Sequence, residues 1–456
     1  GGGNSYILVD NGDLIVDHGS ILDAGDTLRY VAVNQENLTN KHFGVFSDSS
    51  TNWVNTASER FNGMLKYSVN HQLIIHSPID TYFNCQLNLN STHSGARIHF
   101  DNAVFSDLIH IVGEVSPLAY LTDVHLTGTI TTYNRFGSSY CKNVTGKLNI
   151  ICKEDTSIQP DGTGGRGVHI YTSTENHNYG TIIVEQNESQ STAPNNQAAV
   201  GIDGAANYPK NINVDFIWIK DCRTHGVLLT GEGHNIKSIR VDNYGDELYN
   251  ATLPSLPIED YLGNDTRQVC CGVLTYFTNA KIDEITINQS SFIGRNRSLI
   301  DVYIGRGLYN GTSYENSGPK INSIISKNPQ RQAVSVCNNE REGTASIGDI
   351  HINEISDNNL MQLNAAGERT NYGLVDIGFA AVDIKRIISP NYKDATWLLQ
   401  RDNSYTGTQK QATAVTVGQI IKRTVSTNGI AYDIFQGSIG YILAWGDANN
   451  KGSYSI

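Results

Sequence analysis

The chain has 456 residues, 43 of them glycine and 23 tyrosine, with only 17% charged residues and a formal net charge of −12. Turn formers and β-branched residues are plentiful, which favours strands over helices. The acidic balance without a long basic run argues against nucleic-acid binding. No apolar segment approaches the roughly 20 residues that span a bilayer, which argues against membrane insertion.

The first 64 residues have no regular repeat and are predicted to form a β-rich neck and cap. Within them, TASERF (56–61) is the only stretch that favours a helix. The opening GGGNSYILVDNG lacks the charged-then-apolar order of a signal peptide. We interpret this start as an internal cut in a longer chain, with a further N-terminal domain preceding it.

Two apolar phrases alternate from about residue 165 to the C-terminus. The longer one, first clear as Ile236-x-x-Ile239-x-Val241, returns with its first residue at Ile282, Ile321, Ile347, Ile384, Val417 and Ile439. The shorter one precedes it, as in AVGIDG (199–204), GVLLTG (226–231), GVLTYF (272–277), DVYIGR (301–306), LMQLNA (360–365), WLLQRD (397–402) and AYDIFQ (431–436). Copies recur about every 25 to 37 residues without amphipathic helices between them, which is typical of a solenoid.

This pattern predicts an all-β chain whose main domain, residues 65–445, is a right-handed parallel β-helix. Insertions interrupt it at 244–269 and 305–319, and residues 446–456 form a C-terminal tail. The seven cysteines are scattered without C-x-x-C spacing and are predicted to be mostly reduced and buried. No metal, nucleotide or cofactor motif occurs in the sequence.

The sequence resembles the capsule-degrading tailspikes of Acinetobacter phages. The residues that carry the resemblance are the Gly-rich entry, SYILVDNGDLIVDHGSILDAGDTLRYVAVNQ (5–35), and the β-helix phrases that follow. The resemblance implies a homotrimer on the virion, joined to the phage tail through the missing N-terminal domain. It also implies that bacterial capsular polysaccharide is bound and cut outside the cell by carboxylates in a groove within or between subunits.

Glycoside hydrolysis needs two carboxyl groups, one protonated and one ionised. Aligning the shorter phrases on their valines, Val168, Val200, Val227, Val273 and Val302, puts Tyr171, Asp203, Thr230, Tyr276 and Gly305 in one column. Glu232 then lies on the coil next to Asp203, about 8 Å away diagonally. That separation falls in the roughly 6.5–9.5 Å window of inverting glycosidases.

Flanking glycines at Gly204, Gly231, Gly233 and Gly305 are expected to leave room for a sugar ring. The first insertion offers Asp246 or Glu247 as an alternative partner for Glu232, and Asp301, Glu340 and Glu342 are further acidic candidates. Predicted substrate-binding residues are tyrosines that stack on pyranose faces, arginines that hold an acidic sugar's carboxylate, and an exposed histidine beside Glu232. They are Tyr171, Tyr276, Tyr303, Arg297, Arg306 and His234.

Two other functions remain open at this point. A polysaccharide lyase on the same fold would use Tyr276 or His234 as base with Arg306 against a uronic acid. A glycan-binding adhesin would use the aromatic residues without cleaving the polymer. The glycoside hydrolase is the first hypothesis, and Glu232, between two glycines and beside the first insertion, is its first catalytic candidate.

Overall fold

The computed structural model describes residues 6–10, 21–23, 28–32, 64–70, 72–77, 81–82, 87–105, 108–153, 167–185, 198–204, 207–222, 225–244, 269–288, 298–305, 318–327, 329, 332–336, 344–353, 375–377, 382–389, 399–401, 415–426 and 429–436. These residues belong to two compact units. The first unit comprises Gly1–Ser157, Arg166–Gln186 and Gly204–Asp215. The second comprises Ile158–Gly165, Asn187–Asp203 and Phe216–Ile456.

The first unit opens with a small antiparallel sheet and a helix. Strands β1 (Tyr6–Asp10), β2 (Ile21–Asp23) and β3 (Leu28–Ala32) pair in the order β1-β3-β2. Residues 64–70 are helical, and Met64, Leu65 and Tyr67 on this helix are fully buried. The helix predicted at 56–61 lies outside the described residues. The predicted domain boundary after residue 64 falls inside the helix that is described, and its position stays a prediction.

Two parallel sheets form most of the rest of the first unit, and one short antiparallel pair, Glu114–Val115 with Leu118–Ala119, lies outside them. One sheet has the order β4-β7-β12-β15-β17 and the other β6-β8-β13-β16. The strands, with a 3-10 helix at Ser91–His93, are β4 (Ile75–Ser77), β5 (Thr81–Tyr82), β6 (Leu87–Leu89), β7 (Arg97–Phe105), β8 (Ile109–Val112), β9 (Glu114–Val115), β10 (Leu118–Ala119), β11 (Leu121–Thr122), β12 (His125–Thr132), β13 (Phe136–Ser139), β14 (Cys141–Lys142), β15 (Leu148–Cys152), β16 (Val168–Ile170) and β17 (Thr174–Val184).

The second unit also contains two parallel sheets. One sheet has the order β21-β23-β25-β27-β29-β31 and the other β18-β20-β22-β24-β26-β28-β30, all parallel. The strands, including β19, which begins in the first unit and ends in the second, are β18 (Ala198–Ile202), β19 (Lys210–Ile219), β20 (His225–Gly231), β21 (Asn235–Val241), β22 (Val269–Thr278), β23 (Lys281–Asn288), β24 (Ser298–Ile304), β25 (Lys320–Lys327), β26 (Gln332–Val336), β27 (Ala345–Asn353), β28 (Val375–Ile377), β29 (Val382–Ser389), β30 (Leu399–Arg401), β31 (Val415–Ser426) and β32 (Gly429–Gln436).

Because the chain returns repeatedly to the same two sheets, and most returns add one parallel strand beside the previous one, the fold is a parallel β-helix. The apolar columns that predicted it are in register. Ile236 pairs with Ile282, Ile282 with Ile321, and the same column continues through Ile347 and Ile384 to Val417. These side chains are at most 2% exposed, and each buried aliphatic side chain contributes roughly 1.5–3 kcal/mol.

The C-terminal end departs from the predicted coils. AYDIFQ was expected to open another coil, but it lies in β32, which pairs antiparallel with β31 from Ser426↔Gly429 to Gln419↔Gln436. Only residues 427 and 428 separate the two strands, and a connection that short joins antiparallel strands only. The strand that follows β26 in its sheet is β28, whereas the phrase predicted for that coil, LMQLNA at 360–365, lies outside the described residues.

A ladder of polar side chains runs along four coils of the first unit. Asn211 donates through its side-chain amide to Asn176 at 3.0 Å, Asn176 to Asn143 at 3.0 Å, and Asn143 to the Asp123 carboxylate at 2.9 Å. All four residues have φ between 53° and 60°, the left-handed region that Asn and Asp tolerate best. The ladder therefore fixes the same turn on successive coils.

Candidate functional site

The shorter phrases of the second unit are in the predicted register as far as Ile202, Leu229 and Thr275. Val200 pairs with Val227, Val227 with Val273, and Val273 with Val302. Ile202, the last residue of β18, pairs with Leu229. Asp203 is therefore one residue past Ile202 on its own coil. Glu232 is three residues past Leu229 on the neighbouring coil.

The turn that carries Glu232 is held from several sides. Gly231 and Gly233 have φ of 110° and 69°, which disfavours any side chain at either position. Thr278 donates its hydroxyl to the Gly231 carbonyl at 2.8 Å, and the Gly233 N–H donates to the Asn279 side chain at 2.7 Å. Because this neighbouring coil fixes both glycines, the backbone on either side of Glu232 is preorganised.

The two acids differ in exposure. Asp203 is 6% exposed, whereas Glu232 is half-buried. Gly204, which follows Asp203, is half-exposed, and its role as an opening for a sugar stays a prediction. A Cβ there would lie 3.0 Å from the Asn207 carbonyl oxygen and 3.1 Å from the Thr172 hydroxyl, so the chain itself approaches this glycine closely.

His234 was predicted to be exposed beside Glu232, and this is wrong. The side chain is fully buried, and its Nε2 donates to the Thr230 carbonyl at 2.8 Å. Burial lowers the pKa of His234 to about 4, against a smaller opposite effect of this hydrogen bond. His234 is therefore a neutral residue that braces the turn, and it does not reach a sugar hydroxyl.

The predicted column breaks at Tyr276. Leu229 pairs with Thr275, but the next pair is Gly231 with Thr278, so Tyr276 and Phe277 together face Thr230. Phe277 has φ of 50° and its ring packs against that of Tyr276, with centroids 4.2 Å apart. This β-bulge advances β22 by one residue beside the Glu232 turn.

Gly305 was predicted to provide an open setting, and this is also wrong. A Cβ on Gly305 would lie 2.7 Å from the Tyr276 ring and 3.2 Å from the Tyr303 ring. Tyr303 is half-buried and packs against an apolar cluster that includes Leu228 and Leu274. Both tyrosines thus have packing partners on one side, and their contact with substrate stays a prediction.

The remaining candidates are distributed as follows. Tyr171 belongs to the first unit, where its ring lies 4.5 Å from that of His169, and its role in substrate binding stays a prediction. Outside the described residues are most of both insertions and the candidates Asp246, Glu247, Arg297, Arg306, Glu340 and Glu342.

Asp301 is the most strongly perturbed acid among the described residues. It is fully buried, and its two carboxyl oxygens accept from the Tyr244 hydroxyl at 2.7 Å and from the Ser326 hydroxyl at 2.5 Å. Desolvation raises the pKa of Asp301 to about 7 although both hydrogen bonds oppose the rise. Enclosed in this way, Asp301 is a core residue rather than a group that contacts substrate.

The residues at the same position on neighbouring coils explain why an acid is tolerated at Asp301. On the two preceding coils this position is glycine, and a Cβ on Gly226 or Gly272 would lie within 3.0 Å of Val241 or Ile287 respectively. Val241, Ile287 and Ser326 are paired along the facing sheet. The chain thus places glycine opposite a bulky aliphatic residue and an aspartic acid opposite serine.

Four cysteines, Cys141, Cys152, Cys222 and Cys271, are buried free thiols as predicted. Among the residues that the structure describes, no cluster of three or more His, Cys, Asp and Glu side chains is arranged to hold a metal ion. Within the same residues, no helix has the length and apolarity needed to cross a membrane.

Comparison with solved structures shows a likeness to a phage protein. The chain aligns with the crystal structure of the enzymatically active domain of tailspike protein 2 from bacteriophage CBA120, at 11% sequence identity and a TM-score of 0.34. The alignment covers 93% of this chain and 60% of the phage protein's chain, so this chain spans less than two thirds of the length of that domain. No protein-family model and no curated protein matches the sequence.

Proposed function

We propose that the protein is a phage tailspike that binds bacterial capsular polysaccharide and cleaves it by endo-glycosidic hydrolysis, with Asp203 and Glu232 as the carboxylate pair. The observation that supports the pair is the pairing of Ile202 with Leu229. It puts both acids just beyond the same strand ends on adjacent coils, which are about 4.8 Å apart along the axis. Homotrimer formation, the phage tail as location and a capsule of Acinetobacter as target are parts of the proposal that come from the sequence resemblance.

The rigid turn around Glu232 is the second support. A catalytic carboxylate must be held within a fraction of an ångström of its productive position. Thr278, Asn279 and His234 hold the backbone on both sides of Glu232 through hydrogen bonds of 2.7–2.8 Å. These contacts give the turn the rigidity that a catalytic carboxylate requires.

In the proposed reaction the carboxylic acid of the pair donates its proton to the glycosidic oxygen as the bond to the anomeric carbon breaks. The carboxylate of the pair removes a proton from a water molecule, whose oxygen attacks that carbon from the opposite face. A separation of roughly 6.5–9.5 Å leaves room for this water and inverts the anomeric configuration. The insertion acids Asp246 and Glu247 are the alternative partners of Glu232.

Product analysis in heavy-oxygen water tests the reaction class. Purified capsular polysaccharides are incubated with the protein, and the masses of the fragments are measured by mass spectrometry. Hydrolysis predicts one heavy oxygen at each new reducing end and no unsaturated sugar. An ultraviolet-absorbing unsaturated end without label would make the protein a lyase, and unchanged polymer length with tight binding would make it an adhesin.

Chemical rescue tests the separate role of each acid. In the variant that lacks the general acid, a substrate with an activated aryl leaving group should regain turnover, because that bond breaks without protonation. In the variant that lacks the base, added azide should restore cleavage and give an inverted glycosyl azide. Rescue of neither Asp203→Asn nor Glu232→Gln would remove the pair from the proposal.

A further inference from the structure

An aromatic pair lies on the solvent-facing side of β19 in the second unit. Ile217 and Ile219 are buried, and the alternating residues Phe216 and Trp218 are half-buried on the opposite face. Their ring centroids are 6.4 Å apart and the planes are inclined by 33°. On the same face, β23 and β25 carry mainly exposed polar residues, with the half-buried Ile325 at the position in register with Arg240; the polar residues include Lys281, Asp283, Glu284, Lys320 and Asn322.

One carboxylate fixes both the indole and a neighbouring guanidinium. Asp242 accepts from the Trp218 indole N–H at 2.7 Å through one oxygen and from the Arg240 Nε at 2.9 Å through the other. The Arg240 guanidinium carbon lies 5.1 Å from the Trp218 ring centroid, and the Lys220 ammonium lies 4.8 Å from it. Trp218 is therefore held in place with two cations beside it.

The orientation of Arg240 leaves its terminal nitrogens available. Its side chain is 46% exposed, and the contacts it makes within the described part of the chain are those to Asp242 and Trp218. A guanidinium anchored through Nε presents two parallel N–H groups, the fork that matches a carboxylate. An exposed ion pair alone contributes little to stability, so folding gives no strong reason to place it against a tryptophan.

We propose that Phe216, Trp218 and Arg240 form a binding subsite for one uronic acid residue of an acidic glycan. The carboxylate of the sugar is bound by the terminal guanidinium nitrogens of Arg240, and the apolar face of the pyranose ring lies on the aromatic pair. The site lies on the outward face of the sheet, where Arg240 is exposed, so it suits a polymer that adds many weak contacts rather than a tightly enclosed small ligand. The inference rests on the proposed action on polysaccharide, and it places the subsite on a different sheet from β20, the strand that precedes Glu232.

Fluorine NMR on protein labelled with fluorotryptophan tests the subsite without any turnover. The chain has four tryptophans, and the Trp218 signal is assigned by its loss in Trp218→Phe. Sodium glucuronate is the probe, with glucose and sodium acetate as controls for the ring and the charge alone. A saturable shift of the Trp218 signal with glucuronate, at concentrations where neither control shifts it, is expected.

Arg240→Gln should weaken glucuronate binding roughly tenfold or more, since a charge-assisted hydrogen bond is worth about 1.5–3 kcal/mol. The matched control Lys320→Gln, an exposed cation on β25, should leave binding unchanged. No glucuronate shift, an equal shift with acetate, or an unchanged affinity in a folded Arg240→Gln protein would overturn the subsite. Glu232→Gln should bind glucuronate normally, so loss of hydrolysis and loss of this subsite are separate outcomes.

Discussion

Replacing Asp301 by asparagine should stabilise the protein at pH 8 and change its stability much less at pH 4. The buried carboxyl accepts hydrogen bonds from Tyr244 and Ser326. An asparagine keeps the same shape, accepts from Tyr244 through its oxygen and donates to the Ser326 hydroxyl through its amide. The variant therefore mimics the neutral acid at every pH.

The magnitude follows from the pKa of Asp301. Burial raises this pKa from 3.8 to about 7, and one pKa unit corresponds to about 1.4 kcal/mol. Between these values the folded state binds more protons than the unfolded state, so its stability falls as pH rises. Ionisation of Asp301 should cost the folded protein about 4 kcal/mol by pH 8, a cost that Asp301→Asn does not carry.

The assay is urea unfolding followed by far-ultraviolet circular dichroism from pH 4 to pH 8. Burial lowers the pKa of His177 to about 3 and that of His234 to about 4. These histidines make the folded state less stable as pH falls below about 6.5, which is the opposite of the effect of Asp301. Both histidines are present in the variant, so the difference between the two proteins isolates Asp301. The exposed control Asp283→Asn should track the wild type, and parallel pH profiles for Asp301→Asn and wild type would refute the reasoning.

Three further predictions concern the coils. Ile285→Ala should lower the free energy of unfolding by about 2–5 kcal/mol, because it leaves a cavity in a fully buried column. Chemical denaturation measures this loss, and the outward control Thr286→Ala should lose less than about 0.5 kcal/mol. Asn176→Ala should lower the free energy of unfolding by about 1–3 kcal/mol, because it removes two ladder hydrogen bonds. Asn176→Gly also removes them but keeps the left-handed backbone, so its loss should be smaller. Equal losses in the two variants would contradict this account of the ladder. Asn279→Ala should lower kcat for capsule cleavage with little change in melting temperature, because it removes the hydrogen bond to the Gly233 N–H beside Glu232. An unchanged kcat would show that this hydrogen bond does not contribute to the reaction.

Sequence patterns predicted the register of the β-helix because core-facing positions tolerate few residue types. The columns that begin at Ile236 and Val200 are filled by β-branched or aliphatic side chains on coil after coil, and their pairing is as predicted. The antiparallel pairing of β32 with β31 was not predicted, because AYDIFQ has the same apolar pattern as the phrases that open parallel coils.

The details of the candidate site were harder to predict because they depend on backbone geometry. The bulge at Phe277 has a non-glycine residue with positive φ, for which the sequence carries no mark. His234 is buried against a backbone carbonyl, a partner that no side-chain pattern reveals. Trp218, Arg240 and Asp242 meet across two strands, and their sequence separation of up to 24 residues hides the cluster until the register is known.

Turnover of the Glu232→Gln variant on a matched capsular polysaccharide tests the proposed function most directly. The change replaces one oxygen by an amide nitrogen on a turn whose backbone is fixed by Thr278 and Asn279, so the fold and melting temperature should be unchanged. Turnover should fall by a factor of about 10² or more, as it should for Asp203→Asn, whereas Glu284→Gln on the exposed face of β23 should retain wild-type activity. Wild-type turnover by folded Glu232→Gln protein would contradict the assignment of Glu232 as a catalytic carboxylate.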